Sequence, residues 1–197
     1  MSLCYYRQIP GRMSNMEFYQ KDEPNLIRRV CSWIVDIAVA LSFAWFCLTF
    51  FGTQITVQGQ SMHPLLDSGD VVLVNRMVYE FSSPDRMDVV VFRRDDQKTY
   101  VKRVIGIPGD VVQIREGVVY VNEEPVEEES LRYAALPGLA ENPVELGRGE
   151  YFLLGDNRDS SEDSRFANVG NVSEHQIVGK VWLRLFPLID ISLISSP

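Results

Sequence analysis

The sequence predicts an all-β, antiparallel domain that follows a single membrane-spanning helix. Three observations carry this. Val30 to Phe51 is one continuous apolar run. Past Gly52 the chain changes to short β-branched runs separated by turn residues. Apolar residues at helical spacing are scarce in that second part, and strand-length runs bounded by Gly, Pro, Asn and Asp take their place.

The chain has 197 residues, enough for one folded domain and an appendage. Net charge is −8. From Gly52 onward 14 Lys and Arg face 23 Asp and Glu, a balance of −9, and no basic stripe is present to neutralise phosphates. Nucleic acid is therefore excluded as a partner. The three cysteines, Cys4, Cys31 and Cys47, all precede Gly52. The folded part has no thiol to pair, to ligate a metal or to attack a substrate.

The apolar run VCSWIVDIAVALSFAWFCLTFF has 22 residues. As a helix it would measure about 33 Å, close to the hydrocarbon thickness of a bilayer. Asp36 is its one charge. A carboxylate at the centre of a bilayer costs about 3 kcal/mol to insert, but Asp36 is only two turns from one end. Arg29, seven residues earlier, shares its helical face. Arg28 and Arg29 directly precede the run, and no positive charge follows it within GTQITVQGQS. The positive-inside rule then places residues 1–29 in the cytoplasm as a polar tail, 30–51 across the plasma membrane as a single anchor, and 52–197 outside. A cleaved leader would need a shorter apolar core and a small-x-small exit. The exit here is Phe50-Phe51-Gly52-Thr53, so the anchor is expected to be retained.

Strands are expected at Ile55–Val57, Val71–Asn75, Asp88–Phe92, Tyr100–Ile107, Val111–Arg115, Val118–Asn122, Tyr151–Leu154 and Ile177–Leu185. Glu116-Gly117 between the fifth and sixth is a two-residue hairpin signal. Gly-Asp-Val-Val occurs at Gly69–Val72 and again at Gly109–Val112, and reads as two ordinary strand starts. The acidic stretch from Glu123 to Gly149 is punctuated by Pro and Gly and reads as an inserted loop or loose extension with a solvated surface.

Ser61 lies in Gly59-Gln60-Ser61-Met62-His63-Pro64, a turn between the first two strands. Gly59 can take a positive φ, and Pro64 stiffens the exit. A rigid turn presents a serine hydroxyl together with its own backbone N–H, which can donate to an oxyanion. A serine needs a neighbour to take its proton. With only two histidines in the chain, a lysine kept neutral by burial is the alternative. Lys102 sits in an otherwise apolar strand on the face of Tyr100 and Val104, and burial there would lower its pKa. On the strand alone, a snorkelling surface lysine is the competing reading. Arg103, on the other face, stays charged and cannot serve as a base.

Gly155–Arg165 reads GDNRDSSEDSR after the strand YFLL. Its spacing does not fit a twelve-position calcium loop. It reads either as a solvated turn or as a salt-bridged loop orienting the base, with Ser161 bonding the lysine amine and Asp163 pairing with Arg165 or Arg158. His63 and His175 have no triad or metal constellation around them. No metal and no cofactor is expected.

An apolar anchor followed in order by SMHP, GDVVLVNR, KRVIGIPGD and GDNRDSSEDSR resembles bacterial type I signal peptidase, in the short form typical of Gram-positive bacteria. The resemblance runs from about Arg28 to the C-terminus. It implies a domain of coiled antiparallel sheets, with Ser61 as nucleophile and Lys102 as general base. It also implies that Ser161, Asp163 and Arg165 support the lysine. Gly59 stands where some members carry a serine oxyanion donor, and Leu65 stands where Thr is common after the Pro. By this resemblance the partners are secretory preproteins. Membrane lipid is the other expected partner, since Ser61 is only ten residues past the anchor, and the chain is expected to be a monomer. A self-cleaving repressor shares Ser–Lys chemistry but would need a DNA-binding domain where this chain has its apolar run. A catalytically idle anchored β module is the other alternative.

Overall fold

The computed structural model describes residues 26–51, 53–94 and 98–194. The chain divides into two compact units, Met1–Leu41 and Ser42–Pro197. What is described of the first unit is helical. Helix α1 spans Leu26–Phe51, starting four residues before the expected Val30. Within it Leu26–Cys47 has a mean hydropathy of 1.9 and no buried residue, so by length and composition it can cross a membrane. Its tryptophans, Trp33 and Trp45, are each 70% exposed. A helix apolar on every side and covered by no protein is matched to a lipid environment.

In the second unit the strands are, in chain order, β1 (Thr53–Thr56), β2 (Val71–Asn75), β3 (Val89–Arg93), β4 (Thr99–Gly106), β5 (Val111–Arg115), β6 (Val118–Val121), β7 (Glu124–Pro125), β8 (Val144–Glu145), β9 (Glu150–Leu154), β10 (Val172–Ser173), β11 (Ile177–Phe186) and β12 (Ser192–Leu193). All eight expected strands are present within a residue or two. β7, β8, β10 and β12 are two-residue strands with too little sequence to show a period. Every pairing is antiparallel. The larger sheet runs β1-β2-β11-β3-β4-β9-β10, with β12 added on β11, and the smaller runs β7-β6-β5-β8. The fold is all-β as expected. Residues of β1 and β4 line one cavity although three strands separate them in the sheet order, so the larger sheet curls.

Burial follows position in the sheet. β2, β5 and β6 alternate between buried and half-buried residues, as strands with one covered face do. β4 and β9 are different: Val101–Gly106 and Tyr151–Leu154 are buried without interruption. One cluster, with Val112, Val119 and Phe152, takes in Ile105, while Val101 and Val104 belong to two others. The middle of the sheet is therefore covered on both faces, and Lys102 and Arg103 are buried together at 2% and 4% exposure. Lys102 does not snorkel.

The β5–β6 hairpin turns at Glu116 and Gly117, both with positive φ, as a type I′ turn requires. The two Gly-Asp-Val-Val segments share more than a strand start. In each the glycine has positive φ, 100° at Gly69 and 90° at Gly109. In each the buried aspartate accepts the amide three residues earlier, Asp67 at 3.0 Å and Ile107 at 2.9 Å. Each aspartate also holds a guanidinium, Arg184 for Asp70 and Arg86 for Asp110.

The stretch from Glu123 to Gly149 is more ordered than a loose extension. It carries β7, the short helix α2 (Glu129–Arg132), a 3-10 turn at Gly138–Glu141, and β8. Val126, Leu131, Ala134, Ala140 and Leu146 are buried in the same cluster as Ile105 and Phe152. The acidic residues mask this in the sequence because the apolar ones between them follow no single period. Glu123, Glu124 and Glu127 remain exposed.

Candidate active site

The turn after β1 is held from both sides. Met62 and Leu66 are fully buried pegs, and the Leu66 amide donates to the Met62 carbonyl at 2.9 Å. Across the turn, the Asn157 amide donates to the Ser61 carbonyl at 3.1 Å. Gly59 has φ 81°, the left-handed conformation that its lack of a Cβ allows. Its amide donates to Ser68 Oγ at 3.3 Å, and a Cβ at Gly59 would meet open space. These contacts leave Ser61 half-buried, with its hydroxyl turned to β4.

Lys102 Nζ lies 2.7 Å from Ser61 Oγ. Burial pushes its pKa down from 10.5 to about 8. The charges of Asp163, Glu162 and Asp156 pull it back up, and that of Arg165 pushes it down. With a pKa near 8, roughly one lysine in ten is already neutral at pH 7. Desolvation thus outweighs three carboxylates, and the pair can exchange a proton without a histidine. His63 Nδ1 is instead bound to Asp67 at 2.8 Å on the surface, and His175 is exposed on a 3-10 turn.

The loop of residues 155–165 backs this pair. Asp163 is fully buried: Oδ1 accepts from Arg165 Nε at 2.8 Å, and Oδ2 accepts from Arg165 Nη2 at 3.0 Å and from the Gly155 amide at 3.1 Å. Of the two arginines the sequence offered, Asp163 takes Arg165. Arg165 also donates to the carbonyls of Arg158 at 2.7 Å and Leu136 at 3.1 Å, tying the loop to the 123–149 segment. Ser161 departs from expectation. Its hydroxyl is buried and makes no hydrogen bond among the described residues, to Lys102 or to any other. It fills the space where a Cβ on Gly155 would stand, against the backbone that the Asp163 carboxylate fixes.

Three features escaped the sequence reading. Gly155 has room for no side chain: a Cβ would collide with Ser161 Oγ and with the Ser61 carbonyl. A single glycine opening a polar loop directly after a buried strand was the available signal. Arg103 and Asp156 form a second buried bidentate pair, Nε to Oδ1 at 2.8 Å and Nη2 to Oδ2 at 2.7 Å. An arginine in an otherwise apolar strand implied some such partner. Arg158, finally, is buried without one among the described residues.

Besides a cavity of about 390 Å³ lined by Pro64, Leu65, Arg103 and Asp156, two others flank the Ser61 turn. One, of about 530 Å³, is lined by Ile55–Gly59 and Ser61 on one side and Lys98–Lys102 on the other. No strand lies on the outer edge of β1 among the described residues. β9 begins pairing with β4 only at Arg103, so the β9 side of Val101 and Lys102 faces this cavity. The other, of about 420 Å³, is lined by His63, Tyr133 and Asp156–Asp159. Among the described residues no group of three His, Cys, Asp or Glu is placed to hold a metal ion.

Known proteins resemble this chain over most of its length. A signal peptidase IB of Staphylococcus aureus (strain COL) is 36% identical over 176 residues, 81% of this chain and 91% of its own length. A signal peptidase I of Bacillus caldolyticus is 36% identical over 167 residues, 79% and 88% of the two chains. The crystal structure of a signal peptidase I from Enterococcus faecalis aligns over 50% of this chain and 97% of that one, with 29% identity and a TM-score of 0.43. Residues 30–186 match the family described as signal peptidase, peptidase S26. This chain, with its curled antiparallel sheet and its serine beside a buried lysine, belongs to that family.

Proposed function

We propose that this chain is a membrane-anchored serine endopeptidase that cleaves N-terminal signal peptides from exported preproteins. The observation that carries the reading is the 2.7 Å contact between Ser61 Oγ and a Lys102 amine that burial holds near neutrality. Neutral Lys102 takes the Ser61 proton as Oγ attacks the scissile carbonyl. The oxyanion that forms is met by the Ser61 backbone N–H. Lys102 returns the proton to the departing amine, leaving an acyl-enzyme, and then activates the water that hydrolyses it. Asp163 and Arg165 hold the loop against which the pair is set, and Ser161 fills its inner side.

The substrate enters extended between β1 and β4. Main-chain edges on both sides give it hydrogen bonds, and a narrow cavity admits small side chains at the first and third positions before the cut. Helix α1 anchors the enzyme in the plasma membrane as a single pass, with Arg28 and Arg29 keeping the N-terminus cytoplasmic and the β domain outside. The test is cleavage of a preprotein by the purified full chain in detergent micelles, with Ser61→Ala alongside. Cleavage at the signal-peptide junction by the native chain, and none by the variant, is expected. Cleavage by both would overturn the reading.

A further inference from the structure

Around the loop of residues 155–165 the buried charges do not balance. Arg103, Arg158 and Arg165 are all less than 10% exposed, and only Asp156 and Asp163 answer them. Each carboxylate is fully committed, Asp156 to Arg103 and Asp163 to Arg165. Arg158 is left over. Among the described residues no acceptor reaches Nε, Nη1 or Nη2 of its guanidinium. Burial pushes its pKa down to about 10, against the pull of Asp156 and Asp163. A buried, unpaired guanidinium is costly, and folding alone gives no reason to keep one.

Arg158 lines the cavity of about 420 Å³ together with His63, Asn157 and Asp159. That cavity shares no lining residue with the one bounded by β1 and β4, which holds Ser61. His63 is two residues past Ser61, and the Asn157 amide holds the Ser61 carbonyl. Given the peptidase reading above, on which this inference rests, the residues before the cut fill the β1–β4 cavity. Those after it run past His63 and Asn157.

We propose that Arg158 is a specificity residue for the part of the substrate that departs, and that an acidic side chain at the first or second position after the cut supplies its missing partner. The geometry of a guanidinium suits a carboxylate, which it can bind with two parallel hydrogen bonds. Asp159 stands on the exposed rim of this cavity, and its negative charge opposes a carboxylate there, so the preference rests on the guanidinium alone.

The experiment uses the full chain in detergent micelles and matched peptides spanning a signal-peptide junction, with Glu or Gln at each of the two positions after the cut. The native enzyme is expected to cleave one Glu peptide with a kcat/KM about 10-fold above its Gln counterpart, the scale of one charge-assisted hydrogen bond. Arg158→Lys should keep part of this preference, and Arg158→Met should bring the ratio to about one. Equal cleavage of all four peptides by the native enzyme overturns the subsite while leaving the Ser61–Lys102 chemistry intact. Failure to cleave any of them overturns the peptidase reading itself. A Glu preference that survives in Arg158→Met also overturns the subsite. Should that variant not fold, the native Glu-to-Gln ratio decides alone.

Discussion

Lys102 and Arg103 are consecutive residues of β4, both almost wholly buried, and they are given opposite company. Arg103 receives a carboxylate through two hydrogen bonds of 2.8 and 2.7 Å. Lys102 receives a hydroxyl at 2.7 Å and, among the described residues, no carboxylate in direct contact. Desolvation opposes both charges. With a hydroxyl in place of a counter-charge, the Lys102 amine is brought to the point of losing its proton.

Lys102 sets the pH dependence. Activity should rise with pH as the amine loses its proton near pH 8. Lys102→Arg should be inactive because a guanidinium does not accept a proton at these pH values. Lys102→Met should be inactive and well folded. The folded pKa lies below the unfolded 10.5, so between about 8 and 10.5 the unfolded chain binds a proton that the folded one does not. Stability therefore rises with pH across that window, and below it the buried ammonium costs on the order of 3 kcal/mol. Lys102→Met should be more stable than the native chain at pH 7, with the gap closing toward pH 10.5. Denaturant titrations at several pH values check this, and a constant gap would refute it.

Asp163 exerts the largest upward pull on the lysine. Asp163→Asn should move the acid limb of the pH–rate profile to lower pH, even as total activity falls because one of the two oxygens that hold Arg165 and the Gly155 amide becomes a donor. A limb that stays in place, or moves to higher pH, would contradict the assignment.

Asp156 has a purely electrostatic prediction. Asp156→Asn leaves Arg103 buried without its counter-charge, and breaking such a pair costs about 3–5 kcal/mol. Equilibrium unfolding should show a loss of that size. Replacing the exposed partner of a surface pair, such as Glu123 beside Arg115, should cost under about 1 kcal/mol.

Gly155→Ala tests positioning. Its methyl group would press on Ser161 Oγ and on the Ser61 carbonyl, and one of them must move. The strain should cost about 1–3 kcal/mol of stability. Displacing the nucleophile should lower kcat about 100-fold while KM changes little. An intact kcat would show that the Ser61 turn does not depend on this contact.

The eight longer strands and the α1 helix were legible because β-branched runs and a continuous apolar stretch are local signals. Ser61, Lys102 and the 155–165 loop were legible as segments, but not as a set of distances. Ser161 shows why. Its type and position suit a bond to the lysine amine, yet the backbone at Gly155 decides where its hydroxyl lies, and that depends on packing between distant strands. The same holds for Arg158. One sequence offered two arginines to Asp163, and only the folded loop chose between them. The order within Glu123–Gly149 was hidden for another reason: Leu131 reaches the cluster from a short helix, Ala140 from a 3-10 turn, and Val126, Ala134 and Leu146 from irregular backbone.

The unpaired outer edge of β1, and that of β4 before Arg103, has a further effect. A strand in the middle of a folded sheet already has neighbours about 4.8 Å to either side, so its main-chain groups are committed. A lone, stretched polypeptide still has its own to give. On the peptidase proposal, pairing with these edges thus demands a polypeptide that is locally unfolded before its sequence is ever inspected.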